Sequence, residues 1–181
     1  MIIGIVVDLQ EDFVNGSLGT PEAKTIIPYI KNELNNRHYD LIVCTGDQHE
    51  DNERYRETLE GKRIPLHCVK GSGGSFFVDE ANILPYNIPL HMFYKHTFGS
   101  LALPDILMNE AYGYGEDITE IHIMGVCTDI CVISNALILR SAFPSVPIYV
   151  HANGCAGTTP ENHESALKVM QSCLIDVYYE V

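Results

Sequence analysis

Tryptophan is absent from these 181 residues, and basic side chains are scarce: 11 lysines and arginines stand against 24 aspartates and glutamates, a formal net charge of -13. A chain so short of positive charge offers little to a polyanion, which argues against nucleic acid or an anionic membrane as a partner. No stretch reaches the ~20 consecutive apolar residues that span a bilayer. The opening Met1-Ile2-Ile3-Gly4 lacks the basic segment of a secretory leader, which points to the cytoplasm. Six cysteines in a chain of this length are too few for a disulfide scaffold, and most read as reduced, buried thiols. Repeats, low-complexity tracts and linkers are missing as well, so residues 1–181 are expected to form a single domain.

What is present is a succession of short apolar runs. Ile2 to Leu9 is continuous and rich in β-branched residues, which predicts a strand buried on both faces, as in a parallel sheet. Further strands are expected over Leu41 to Thr45, Ile88 to Tyr94, Ile121 to Met124, Val146 to Val150 and Ile175 to Tyr179. Helical spacing runs from Pro21 to Asn36, from Pro104 to Tyr112 and from Asp129 to Ala142. A last helix starts at Thr159-Pro160, an N-cap followed by proline in the first turn, and ends near Cys173. Residues 46–87 show no clear period and read as a long functional insertion. Strands alternating with helices predict an α/β fold of three layers, a parallel sheet between two sets of helices.

In such sheets ligands bind beyond the carboxyl ends of the strands, near the point where the winding reverses. Asp8 ends the first strand, Asp47 and His49 follow the second, Lys95 follows the third and Cys131 lies just beyond the fourth. A thiol in the first turn of a helix feels unsatisfied N–H groups, which favour the thiolate and can also bind an oxyanion. A lysine beside it acts in the same direction, and a carboxylate can take the thiol proton. Asp47, His49, Glu60 and His67 offer two imidazoles and two carboxylates, a set suited to zinc, iron or manganese. Each has a plain structural reading too: a packed cysteine, a solvated lysine, a turn-capping aspartate, histidines in a polar loop. Gly71-Ser72-Gly73-Gly74-Ser75 is an incomplete phosphate loop and reads as a flexible one. His163 is expected to be an exposed helix residue.

Three segments carry a resemblance: Asp8-Leu9-Gln10-Glu11-Asp12-Phe13, Lys95-His96-Thr97-Phe98-Gly99-Ser100 and Gly125-Val126-Cys127-Thr128-Asp129-Ile130-Cys131-Val132. In this order they resemble the isochorismatase-like cysteine hydrolases. Asp47-Gln48-His49, Thr58-Leu59-Glu60-Gly61 and Leu66-His67-Cys68 are similar to the metal loop of the nicotinamidase (pyrazinamidase) branch, and Cys155-Ala156-Gly157 fits as well.

The resemblance implies a six-stranded, Rossmann-like parallel sheet and a catalytic triad of Asp8, Lys95 and Cys131. The backbone N–H groups of Cys127 and Cys131 would form an oxyanion hole after a non-proline cis peptide at Val126–Cys127. Phe13 and Val126 would contact the substrate. Asp47, His49, Glu60 and His67 would hold one divalent metal ion, zinc in first place with iron and manganese open. The implied activity is hydrolysis of nicotinamide to nicotinate and ammonia through a cysteine thioester, a step of NAD salvage, in a homo-oligomer acting on a small-molecule amide. Related sequences often carry a tryptophan after the glycine loop as an aromatic pocket wall. Here that stretch reads Ser75-Phe76-Phe77, which makes Phe76 or Phe77 the candidate replacement or implies a pocket for another acyl group. Two alternatives stay open: a related cysteine hydrolase acting on another small amide or ureido compound, and a catalytically silent binding or scaffold member of the fold.

Overall fold

The computed structural model describes residues 1–78 and 83–179. Among them the apolar runs pair as parallel strands: β1 (Ile2–Val7), β2 (Leu41–Asp47), β3 (Leu90–Lys95), β4 (Glu120–Val126), β5 (Ile148–Ala156) and β6 (Asp176–Tyr178). Their order across the sheet is β3-β2-β1-β4-β5-β6. The chain therefore winds outward through β2 and β3 and then returns to the other side of β1, so the winding reverses between β1 and β4.

Period-two alternation divides each central strand between two cores. Ile3, Ile5 and Val7 of β1 and Leu41 and Val43 of β2 face one core, whereas Val6, Ile42 and Cys44 face the other. The second core is closed by α1 (Glu11–Val14), α2 (Pro21–Thr25) and α3 (Ile27–Asn36), chiefly through Phe13, Ala23, Ile30 and Leu34. Within the insertion lies α4 (Glu53–Arg56), capped by the Asn52 side chain, which accepts from the Tyr55 N–H at 2.9 Å. The first core is closed by α5 (Leu103–Tyr114), α6 (Ile133–Ala142) and α7 (Pro160–Ser172), through Leu107, Leu139 and Leu167.

The helix expected over residues 21–36 is two helices that meet at Ile26. Pro28 has no N–H for the carbonyl four residues back, so the chain restarts with proline in a first turn, where no such bond is needed. The expected start of α7 is found: Thr159 Oγ1 accepts from Asn162 N at 3.1 Å, and Pro160 follows. The insertion folds back over the carboxyl edge of the sheet, where His49 N donates to Cys68 O at 3.0 Å and Lys70 N to His49 O at 2.8 Å. Its glycine stretch forms a short 3-10 turn, Gly73–Ser75.

The layer between α3 and the sheet holds a chain of polar groups. His122 Nε2 lies 3.1 Å from Glu120 Oε2, His122 Nδ1 lies 2.9 Å from His151 Nε2, and His151 Nδ1 lies 2.9 Å from the Tyr29 hydroxyl. A carboxylate only accepts, so His122 donates to Glu120, His151 donates to His122, and Tyr29 donates to His151. Both imidazoles are neutral in this arrangement.

Candidate active site

Asp8 follows the last residue of β1 and adopts φ 49°, which turns the chain away from the sheet. Its amide still continues the ladder, donating to Thr45 O at 3.0 Å, and Thr45 Oγ1 donates to Asp8 Oδ1 at 2.7 Å. Beside β1, Gly125 of β4 has φ 126°, and a Cβ there would stand 2.1 Å from Val7 O, so only glycine permits the two strands to close here. Lys95 ends β3 and places Nζ 2.5 Å from Asp8 Oδ2 and 3.8 Å from Cys131 Sγ. The structure thus brings Asp8, Lys95 and Cys131 together, all at 4% exposure or less.

Cys131 sits in a π turn, Thr128–Val132, that precedes α6, rather than in the first turn of a regular α-helix. Cys127 O accepts from both Ile130 N and Val132 N at 3.1 Å, and the Val126–Cys127 peptide is cis. Burial, reinforced by the Asp8 charge, pushes the Cys131 thiol well above its ordinary range and outweighs the Lys95 ammonium. Burial also raises the Asp8 carboxyl, against the opposing pull of Lys95. Lys95 would lose charge by burial, but the facing Asp8 carboxylate raises it. The thiol is thus biased toward its neutral form, while Asp8 and Lys95 each favour the charged form of the other.

Next to this group, Asp47 Oδ2 lies 3.1 Å from His49 Nε2 and 3.2 Å from His67 Nε2, and Glu60 Oε1 lies 3.3 and 3.6 Å from the same two nitrogens. Burial opposes charge on His49, but the Asp47 and Glu60 carboxylates override it and hold the imidazole at about 9. His67 Nδ1 faces Pro65 O at 2.8 Å, a carbonyl that can only accept, so Nδ1 is a donor. Its Nε2 faces carboxylate oxygens of Asp47 and Glu60, and the buried Glu60 Oε1 has no hydrogen-bond donor. Four ligand atoms converge within 4.8 Å of one another around an orphaned oxygen, a set that fits one divalent cation.

The thiol and this cluster open into one cavity of about 350 Å³, whose walls include Phe13, Leu18, Ile64, Phe98 and Ile130. Asp47, Glu60, His67 and Cys131 all reach it. Neither Phe76 nor Phe77 does: Phe76 is 59% exposed, and Phe77 packs into the second core. From the insertion, Ile64, held by the turn that carries Glu60, lines the cavity. Val126 is packed in the core beneath the turn, whereas Cys127 lines the cavity with its thiol pushed up to about 12 by burial.

Two supporting side chains take places that the sequence reading did not assign to them. Asn135 Oδ1 accepts from Ser100 N at 2.9 Å while its amide donates to Cys131 O at 2.8 Å, tying the loop after Lys95 to the turn of the thiol. His163 is half-buried rather than exposed, with Nδ1 2.8 Å from Thr128 Oγ1. The only signal in the sequence is a polar residue at an apolar position of a helix.

Comparison with known proteins bears on the fold and the family. The isochorismatase domain model matches residues 3–178. A nicotinamidase of Schizosaccharomyces pombe is 26% identical over 208 aligned positions, covering 97% of this chain and 92% of the relative. An isochorismatase family protein of Bacillus subtilis is 27% identical, with 90% of each chain covered. Among solved structures, the pyrazinamidase of Pyrococcus horikoshii in complex with zinc superposes with a TM-score of 0.80 at 29% identity, covering 99% of both chains. The match spans the six-stranded sheet and both helical layers, and the chain belongs to the isochorismatase family of hydrolases.

Proposed function

We propose that this protein hydrolyses the carboxamide of nicotinamide, releasing ammonia and nicotinate through a thioester on Cys131. The observation that carries the reading is that the thiol and three of the four candidate ligands, Asp47, Glu60 and His67, line one small apolar cavity. In this reading the ring lies in that cavity of about 350 Å³ with its amide toward Cys131. The zinc in the similar Pyrococcus structure and the activity of the yeast relative support the same choice.

In the proposed reaction Asp8 accepts the Cys131 proton as the sulfur attacks the amide carbon, so the thiolate is generated only as the C–S bond forms. The Cys127 and Cys131 N–H groups receive the developing oxyanion. Asp8 then returns the proton to the leaving nitrogen, ammonia departs, and the same carboxylate takes a proton from the water that cleaves the thioester. Lys95 keeps Asp8 ionised in a site that otherwise disfavours charge. Asp47, His49, Glu60 and His67 would hold the ion, which when bound supplies a coordination point for the ring nitrogen and so positions the amide.

Ammonia release from nicotinamide should require Cys131 and fall on chelation. Cys131→Ala should be inactive yet retain zinc. Absence of ammonia from fully metallated wild type would discard the substrate, and other small amides would then be assayed.

A further inference from the structure

We infer that Gln10 is a positioning residue for the metal cluster, supplying with its side chain the rung that is missing from the ladder between β1 and β2. The inference rests on the reading of Asp47, His49, Glu60 and His67 as metal ligands. Backbone pairing between the two strands proceeds as far as Val7 and Thr45, followed by the Asp8 N–H on Thr45 O. At Asp8 the chain turns away, while β2 continues to Asp47. The peptide groups of Asp47 on that side have lost their neighbour.

The carboxamide of Gln10, fully buried at 0% exposure, takes the vacated place. Gln10 Oε1 accepts from Asp47 N at 2.7 Å, and Nε2 donates to Asp47 O at 2.9 Å. The second hydrogen of Nε2 goes to Ser75 O at 2.9 Å, in the loop that follows His67. A primary amide has the donor and acceptor of a peptide group, which is why glutamine can serve where a carboxylate or a hydrocarbon cannot. On its other edge Asp47 is paired with Lys95 of β3. The backbone of the aspartate is therefore fixed from both sides, and Oδ2 is aimed at the two imidazoles. Outer partners of this kind commonly change metal affinity by about 10–100-fold when removed.

The test is zinc affinity, measured by competition with a chromogenic chelator at a temperature well below unfolding, on wild type, Gln10→Met and Gln10→Glu. Methionine keeps the length and removes all three bonds; glutamate keeps the acceptor for Asp47 N and loses both donations. Both should weaken zinc by about 10-fold or more. Leu34→Ala, which empties the core under α3, is the control for stability lost without any change near the cluster and should leave affinity unchanged. Zinc affinity of the Gln10 variants within threefold of wild type overturns the inference, as does an equal loss in Leu34→Ala. If Gln10→Met does not fold, Gln10→Glu decides on the same criterion. A wild type that takes up no zinc overturns the metal reading itself, an outcome distinct from equal uptake by all three.

Discussion

Cys131 holds its proton because a thiolate in that position would be buried next to a carboxylate. In metal-depleted protein, alkylation of Cys131 by iodoacetamide should therefore keep rising with pH through 9. A plateau by pH 7 would mean a preformed thiolate and would remove the need for Asp8 as base. Lys95 and Asp8 are at 4% and 0% exposure, so Lys95→Met leaves a buried carboxylate without its cation and should cost about 3–5 kcal/mol in urea unfolding. A loss below about 1 kcal/mol would show that water reaches the pair. These three residues were legible in sequence because each stands at or just beyond the end of a strand, and the ends of parallel strands converge. The lining contributed by the insertion was not: Ile64 lies there, where no period fixes which side chain points inward. Gln10 stood in view within Asp8-Leu9-Gln10-Glu11-Asp12-Phe13, but a peptide-like role depends on where β1 turns, which composition does not reveal.

At the scale of elements, the elements joined by Asn135 are the loop after β3 and the turn before α6. Asn135→Leu leaves the Ser100 N–H and the Cys131 carbonyl without this partner, at about 1–3 kcal/mol per group left buried. Thermal unfolding should register that loss, and alkylation of Cys131 should change in rate as its turn loosens. Unchanged alkylation at an unchanged melting temperature would place the tie outside the site. Helix boundaries with explicit chemistry were readable, as at Thr159-Pro160, where the cap and the proline mark one start. The π turn over Thr128–Val132 was read as regular helix because its sequence has ordinary helical residues. The extra residue per turn is imposed by the strand and helix it connects. The break at Ile26 had a sign in Pro28, one that the apolar spacing on either side obscured.

At the scale of the molecule, the polar chain under α3 makes stability depend on acidity. Burial lowers His151 from 6.5 to about 4, and His122 is lowered by the same cause. Between those two values for His151 the unfolded chain binds a proton that the folded chain refuses. Stability is thus full above 6.5 and declines as pH falls toward 4, by about 3 kcal/mol from His151 alone. Urea unfolding between pH 7.5 and 4.5 should show this slope, and His151→Gln should flatten it; an unaltered slope assigns the acid sensitivity to other groups. The sheet order itself was only partly readable, since alternation announces parallel strands but not which of them are neighbours. That order, with β1 between β2 and β4, also sets a timetable. As the chain leaves the ribosome, β1 is made first and gains β2 early, yet its other edge stays open until residues 120–126 have emerged. Asp8 must wait still longer for its thiol. Nascent chains halted before β4 should remain protease-sensitive, and a chaperone that shields bare strand edges would find its substrate in that interval.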